Sequence, residues 1–284
     1  MSTLSLSAIV RSAFVRRRLR SFLLLVVALA TVTAWWRLEV VTLRPHAFTS
    51  GALLLAAIVF LALYNVRKKL TFLPLGSSTA WLQLHIYVGL GTVWVFLLHT
   101  SFRIPTGVFE TSLAGLYLLV TASGIYGLYL TRTIPSRLAA LEEEVIWERI
   151  PGLRRRVAER AQELVLSVKH DSSAGVVTDL YSRRLLRFFE GARGWKYYLR
   201  PTSTLRRQLL AELGELKRYL GEPQQHLVDD LAALIARKDD LDYHDALQGW
   251  LKCWLFAHIG GTYALLLFAG FHAVLAHAFH GGMR

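Results

Sequence analysis

Thiols are nearly absent from this chain: a single cysteine, Cys253, stands among 284 residues. One thiol excludes an intramolecular disulfide framework, and metal sites built from cysteine alone need two to four. The polar middle of the chain has no glycine-rich phosphate loop, no GxGxxG following a strand and no flavin-type pattern, so a self-contained nucleotide site is not expected there. Charged residues make up only 19% against 54% hydrophobic, a balance that excludes intrinsic disorder.

Positive charge is plentiful: 33 Lys and Arg against 20 Asp and Glu, a formal +13. Such an excess points to nucleic acid or to an anionic membrane surface, and the placement of the charges decides between them. Five apolar runs approach or exceed the length that crosses a hydrocarbon core. They occupy 21–36, 48–66, 81–102, 111–131 and 253–279, and none contains an acidic residue. Trp35, Trp36, Trp81, Trp250 and Trp254 fall at run ends, where an aromatic belt sits. The first run is short and follows Arg11, Arg16, Arg17, Arg18 and Arg20, so an uncleaved anchor competes with a signal peptide ending near Ala34. The anchor is the expected outcome.

Residues 132–250 hold twenty basic and eighteen acidic side chains, leaving two acids and thirteen bases for the apolar parts of the chain. Eight of those bases lie in the N-terminal stretch and at 67–69. By the positive-inside rule the N-terminus and loop 65–80 are cytoplasmic, loops 37–49 and 103–110 lie outside, 132–250 is a cytoplasmic insert and the C-terminus is extracytoplasmic. Runs three and five then point the same way, from inside to outside. The organisation expected is an all-α integral membrane protein: helices one to four within 1–131, a helical insert at 132–250, and helix five with a short tail at 251–284.

The insert shows apolar residues at helical spacing, as in GLRRRVAERAQELVLSVK and STLRRQLLAELGELKRYL, and reads as four or five short helices. Breaks are expected at Pro151, 171–175, 191–194 and 221–223. Its basic and aromatic segment YSRRLLRFFEGARGWKYYLR (181–200) suits a membrane-hugging surface, with Arg at the headgroups and Phe, Trp and Tyr at the acyl boundary, better than a nucleic-acid surface.

Four of the ten histidines lie well inside apolar runs, with His277 near the end of the last one. WLQLHIYVGLGTVWVFLLHTSF carries His85 and His99, and WLFAHIGGTYALLLFAGFHAVLAHAFHGG carries His258 and His272, fourteen residues apart in each case. Fourteen residues rise about 21 Å and return within about 40° of the starting direction, so each helix presents two imidazoles on one face. Parallel orientation pairs His85 with His258 at the cytoplasmic level and His99 with His272 at the outer level. Ionisable groups in a membrane are costly and mark function, and facing imidazoles can ligate one haem iron. Two b-type haems are therefore expected. A zinc or proton-relay site would need a cluster with Cys, Asp or Glu, which these runs lack. Gly89, Gly91, Gly260, Gly261 and Gly270, with Gly124 and Gly127 in run four, give room for a macrocycle or for close helix packing. Arg67, Lys68, Lys69, Arg132 and Lys252 inside, and Arg103 outside, are candidate propionate partners. His46, His277 and His280 are expected to be solvated outside, the competing reading being that they receive a partner's proton or metal or serve as alternative outer ligands. His170, His226 and His244 carry no partner pattern.

These residues resemble the diheme transmembrane b-type cytochromes. The His-x13-His pattern on two helices is similar both to the cytochrome b of quinol:cytochrome c oxidoreductases and to the ferric reductase/NADPH oxidase transmembrane domain, whose third and fifth helices carry the ligands. The resemblance covers helices two to five, under half the chain. It implies a haem-binding four-helix bundle in a bacterial inner membrane, exchanging electrons with an extracytoplasmic cytochrome or iron–sulfur protein and with a cytoplasmic redox partner docked on the insert. Quinone is a further candidate partner, as for the membrane anchor subunit of a larger oxidoreductase, and a haem-free scaffold or transporter is the reading from another class. The insert is foreign to both families, and the flavin and nicotinamide module of the ferric reductases is not matched in these residues.

Overall fold

The computed structural model describes residues 3–69, 76–141, 143–167, 175–191 and 193–280, with backbone alone at 3–14, 17, 18, 68, 69 and 280. Among the described residues all regular structure is helical: α1 (Thr3–Val41), α2 (His46–Lys69), α3 (Ser78–His99), α4 (Val108–Leu138), α5 (Ile150–Ser167), α6 (Gly175–Leu180), a π-helical turn (Tyr181–Leu185), α7 (Leu186–Glu190), α8 (Trp195–Leu199), α9 (Thr204–Lys217) and α10 (Glu222–His280). A 3₁₀ turn, Trp147–Arg149, precedes α5. Five of these, α1 to α4 and α10, are long and apolar enough to cross a membrane, as a multi-pass membrane protein requires. The chain forms two compact units, one of residues 1–126 with 257–284 and one of residues 127–256.

In the first unit, side chains of all five apolar segments meet in one cluster: Val32, Leu54, Ile58, Val95, Tyr117 and Leu265. Polar ties run across it. The Tyr117 hydroxyl donates to Thr92 Oγ1 at 3.0 Å, Trp94 Nε1 to Thr33 Oγ1 at 2.8 Å, and Asn65 Nδ2 to Tyr263 Oη at 3.3 Å. Outward side chains such as Leu24, Leu119, Leu267 and Val274 are apolar and exposed, the inverse of a water-facing surface. Helix α1 continues past the first apolar run and takes in Arg37 and Glu39. Glu39 is buried, its carboxylate accepting from the Thr49 hydroxyl. The chain between α1 and α2 is only four residues, turning through Leu43 at φ 55°.

In the second unit, Val157, Ala161 and Val165 of α5, Val177, Leu185, Phe188 and Phe189 of the middle segment, Leu209 and Leu213 of α9, and Leu231 and Ile235 of α10 share one core. Pro151 falls at the start of α5, where a missing N–H costs nothing, and α10 begins directly after Gly221. Gly191 closes α7 and Gly194 precedes α8. The expected break at 171–175 falls, apart from Gly175, outside the described residues, as does His170. The membrane-hugging reading of 181–200 needs correction over residues 181–190. Phe188 and Phe189 lie in the core shared with side chains of α5 and α10, while Arg187 stays outside. Of the segment's large aromatics and leucines, only Trp195 and Leu199 stand exposed.

Buried charges lock this unit. Asp242, with its side chain fully buried, meets Lys238 Nζ at 2.7 Å, Arg193 Nε at 2.7 Å and Arg154 NH2 at 2.8 Å. Arg193 also pairs with Asp239, and both Arg193 and Lys238 sit 4.9 Å from the Phe188 ring centre. Burial pushes the Lys238 ammonium below its ordinary range and the Asp239 carboxyl above its own, each opposed by the ion pairs.

His244 is buried in the same unit, Nε2 donating to Glu143 O at 3.1 Å and Nδ1 accepting from Gln248 Nε2 at 3.2 Å. A second ring proton would face the Gln248 amide, and burial holds the imidazole below the usual histidine range. A folded-state value below the unfolded one means that the unfolded chain takes up the proton first. Stability from this group is full above the ordinary histidine value, near 6.5, and is lost as pH falls through the window below it. Proteolysis of the 143–149 segment is expected to accelerate on acidification through that window, and the pH dependence to flatten in His244→Gln.

Candidate paired-histidine site

Helix α3 ends on His99 because the chain turns sharply there. Ser101 and Phe102 take φ 50° and 57°, a left-handed conformation costing about 1–2 kcal/mol per L-residue, while their N–H groups cap the carbonyls of Leu98 and Leu97 at 3.0 and 2.9 Å. The His99 ring is then gripped by the first turns of α2. Its Nδ1 lies 2.9 Å from Ala47 O and 3.4 Å from Ser50 Oγ. A carbonyl only accepts, so Nδ1 carries the proton and Nε2 keeps its lone pair. Gly51 makes the fit possible: a Cβ there would come within 2.8 Å of His99 Cε1 and 3.2 Å of Nδ1.

His272 of α10 reaches the same place. Its ring centre is 6.3 Å from that of His99, with the planes at 85°. Phe109 of α4 covers it at 6.2 Å and leans on Phe271 at 5.6 Å. The pairing expected from equal spacing on two parallel helices therefore brings these two rings together. His277, further along α10, is exposed and stands against Phe48 at 4.3 Å, while His46 meets the edge of Trp36 at 5.8 Å.

At the other level His85 packs against Tyr64 of α2, ring centres 5.1 Å apart. His258 is met by α4: its Nδ1 lies 3.3 Å from Ser123 Oγ, and a Cβ on Gly124 would make ordinary contact with its Cε1 at 3.5 Å. Gly124 thus lies beside an imidazole. A Cβ on Gly89 would meet open space, whereas one on Gly261 would press on Val120 at 3.2 Å, which makes that glycine a helix-packing residue. Gly127 is another, its missing Cβ occupied by the Trp254 indole. Arg103 is exposed beyond the end of α3.

Ala47, Ser50, Gly51 and Ser123 were not legible as site residues. Three of them are a backbone carbonyl, a small hydroxyl and an absent side chain on a neighbouring helix, and only the rotation of α2 about its axis brings them to His99. Among the described residues no group of three or more His, Cys, Asp or Glu side chains comes together. Comparison with family models, with curated proteins and with solved structures finds no match for this chain.

Proposed function

We propose that the chain is a membrane diheme cytochrome b that carries electrons across a bacterial inner membrane, between a cytoplasmic-side or quinone partner and an extracytoplasmic redox protein. The observation that carries this reading is the His99 and His272 pair. Their ring centres lie 6.3 Å apart, a spacing at which both imidazoles would be within reach of one metal. The Ala47 carbonyl supplies the outer-shell acceptor that metal-bound histidines almost always have, fixing the tautomer with Nε2 free to ligate. Two imidazoles, with no group of three or more His, Cys, Asp or Glu side chains among the described residues, would suit haem, which brings its own four nitrogens, better than zinc.

In this reading the apolar segments form a haem-binding bundle, with His99 and His272 as ligands at the outer level and His85 and His258 at the cytoplasmic level. A b haem at each level supplies a one-electron carrier. The chain's side chains exclude water, fix imidazole orientation through Ala47 and Ser50, and leave space at Gly89 and Gly124. Arg103 offers a cation at the outer surface.

Vesicles holding the purified protein, with a trapped reductant and impermeant ferricyanide outside, test the reading. Electron transfer is expected in the native chain and lost in both His85→Ala and His99→Ala; a rate unchanged in both variants would refute it. Gly51→Val adds a narrower expectation. Its Cβ must displace the His99 ring, so the spectrum of the outer haem is expected to shift or vanish while the inner is kept, as read by low-temperature absorption and electron paramagnetic resonance.

A further inference from the structure

We infer that the edge of the 127–256 unit carrying Ile146, Trp195 and Leu199 lies in the headgroup layer of the same membrane and binds anionic phospholipid. The inference rests on α10 crossing the bilayer, not on its carrying haem. Within this unit the membrane level is marked by Cys253, where the apolar run of α10 begins. Residues 143–149 climb along α10 toward that level. His244 holds Glu143 O at 3.1 Å, Gln248 Nε2 donates to Val145 O at 2.8 Å, and Lys252 Nζ meets Glu148 Oε1 at 2.6 Å while lying 3.9 Å from the Trp147 ring centre. The segment therefore reaches a point one residue short of the apolar run, and there it leaves Ile146 58% exposed.

Helix α8 reaches the same neighbourhood by a separate attachment. The Tyr198 hydroxyl donates to Asp245 Oδ2 at 2.7 Å. Asp245 precedes Cys253 by eight residues, about 12 Å along the helix axis, against a headgroup layer of roughly 5–7 Å on each side of the hydrocarbon core; in this inference the exposed Trp195 side chain covers the difference. Trp195 and Leu199, one helical turn apart, are 70% and 57% exposed, and Lys196 and Arg200 beside them are exposed as well. Arg193, pinned to Asp239 and Asp242, makes the mount rigid. An exposed indole and leucine flanked by cations match the boundary between acyl chains and anionic headgroups, where the apolar body is buried and the cation stays with phosphate.

The test uses the full chain in lipid nanodiscs, with Cys253→Ser as background and a single spin-labelled cysteine at 146, 199 or, as a water-facing control, 163. Collision with oxygen relative to a water-soluble nickel chelate reports depth. Labels at 146 and 199 are expected to favour oxygen several-fold over the label at 163 in phosphatidylglycerol discs, and Lys196→Glu with Arg200→Glu is expected to raise the label at 199 toward water. Equal chelate access at all three positions would overturn the inference. Shielding of 146 and 199 from both probes would also overturn it, since that is the signature of a protein partner or a second copy. As a check independent of cysteine variants, dibrominated phosphatidylglycerol should quench the native chain more than Trp195→Phe; equal quenching contradicts the inference. Haem loss without change in these depths would leave this inference standing and sink the functional proposal alone.

Discussion

Replacing His99 or His272 with alanine is expected to remove one of two b haems and leave the other with its native spectrum. The two ring centres lie 6.3 Å apart with their planes at 85°, one imidazole contributed by each helix. Losing either would leave the proposed haem with one protein ligand. The reciprocal variants, His85→Ala and His258→Ala, are expected to remove the other haem, because fourteen residues of helix, about 21 Å, separate the two levels. Pyridine haemochrome spectra normalised to protein should fall by about half in each of the four variants, consistent with one iron per imidazole pair. Loss of both haems in His99→Ala with the protein still folded, or loss of neither, would refute the assignment of ligands by level.

The second large effect lies far from the histidines. Asp242→Ala is expected to destabilise the 127–256 unit by about 3–5 kcal/mol, since it strands buried cations without their shared anion. Lys238, Arg193 and Arg154 all converge on that carboxylate, and Lys238 is itself almost wholly enclosed. An exposed ion pair gives the contrast: Arg183→Ala removes the contact with Asp179 at 2.7 Å, where both partners are solvated, and should change stability by no more than about 0.5 kcal/mol. Denaturant titration followed by trypsin cleavage within the unit reads both. A small effect of Asp242→Ala would mean that water enters the network.

Much of the architecture is legible in the sequence, for identifiable reasons. Five runs free of acidic side chains translate directly into α1 to α4 and the last part of α10, because a long apolar stretch has few other ways to satisfy its backbone. The equal spacing of His85 with His99 and His258 with His272 is legible for the same reason: helical geometry converts sequence separation into level. The grip on His99 is not, since Ala47 contributes a carbonyl and Gly51 an absence, and neither leaves a trace in residue type. The segment at 181–200 misleads because alternating arginines and aromatics read alike for a membrane surface and for a small core rimmed by cations. Phe188 belongs to that core, between Arg193 and Lys238, while Trp195 does not. Glu39 is hidden by a similar limit: it stands just past the first apolar run, and only the extension of α1 to Val41 buries it against Thr49.

The most direct measurement is the haem content of the purified, folded chain, by pyridine haemochrome spectrum together with a potentiometric titration. Two b haems per chain titrating as two one-electron components are predicted. A colourless protein that is folded and monodisperse, or one haem per chain, would contradict it.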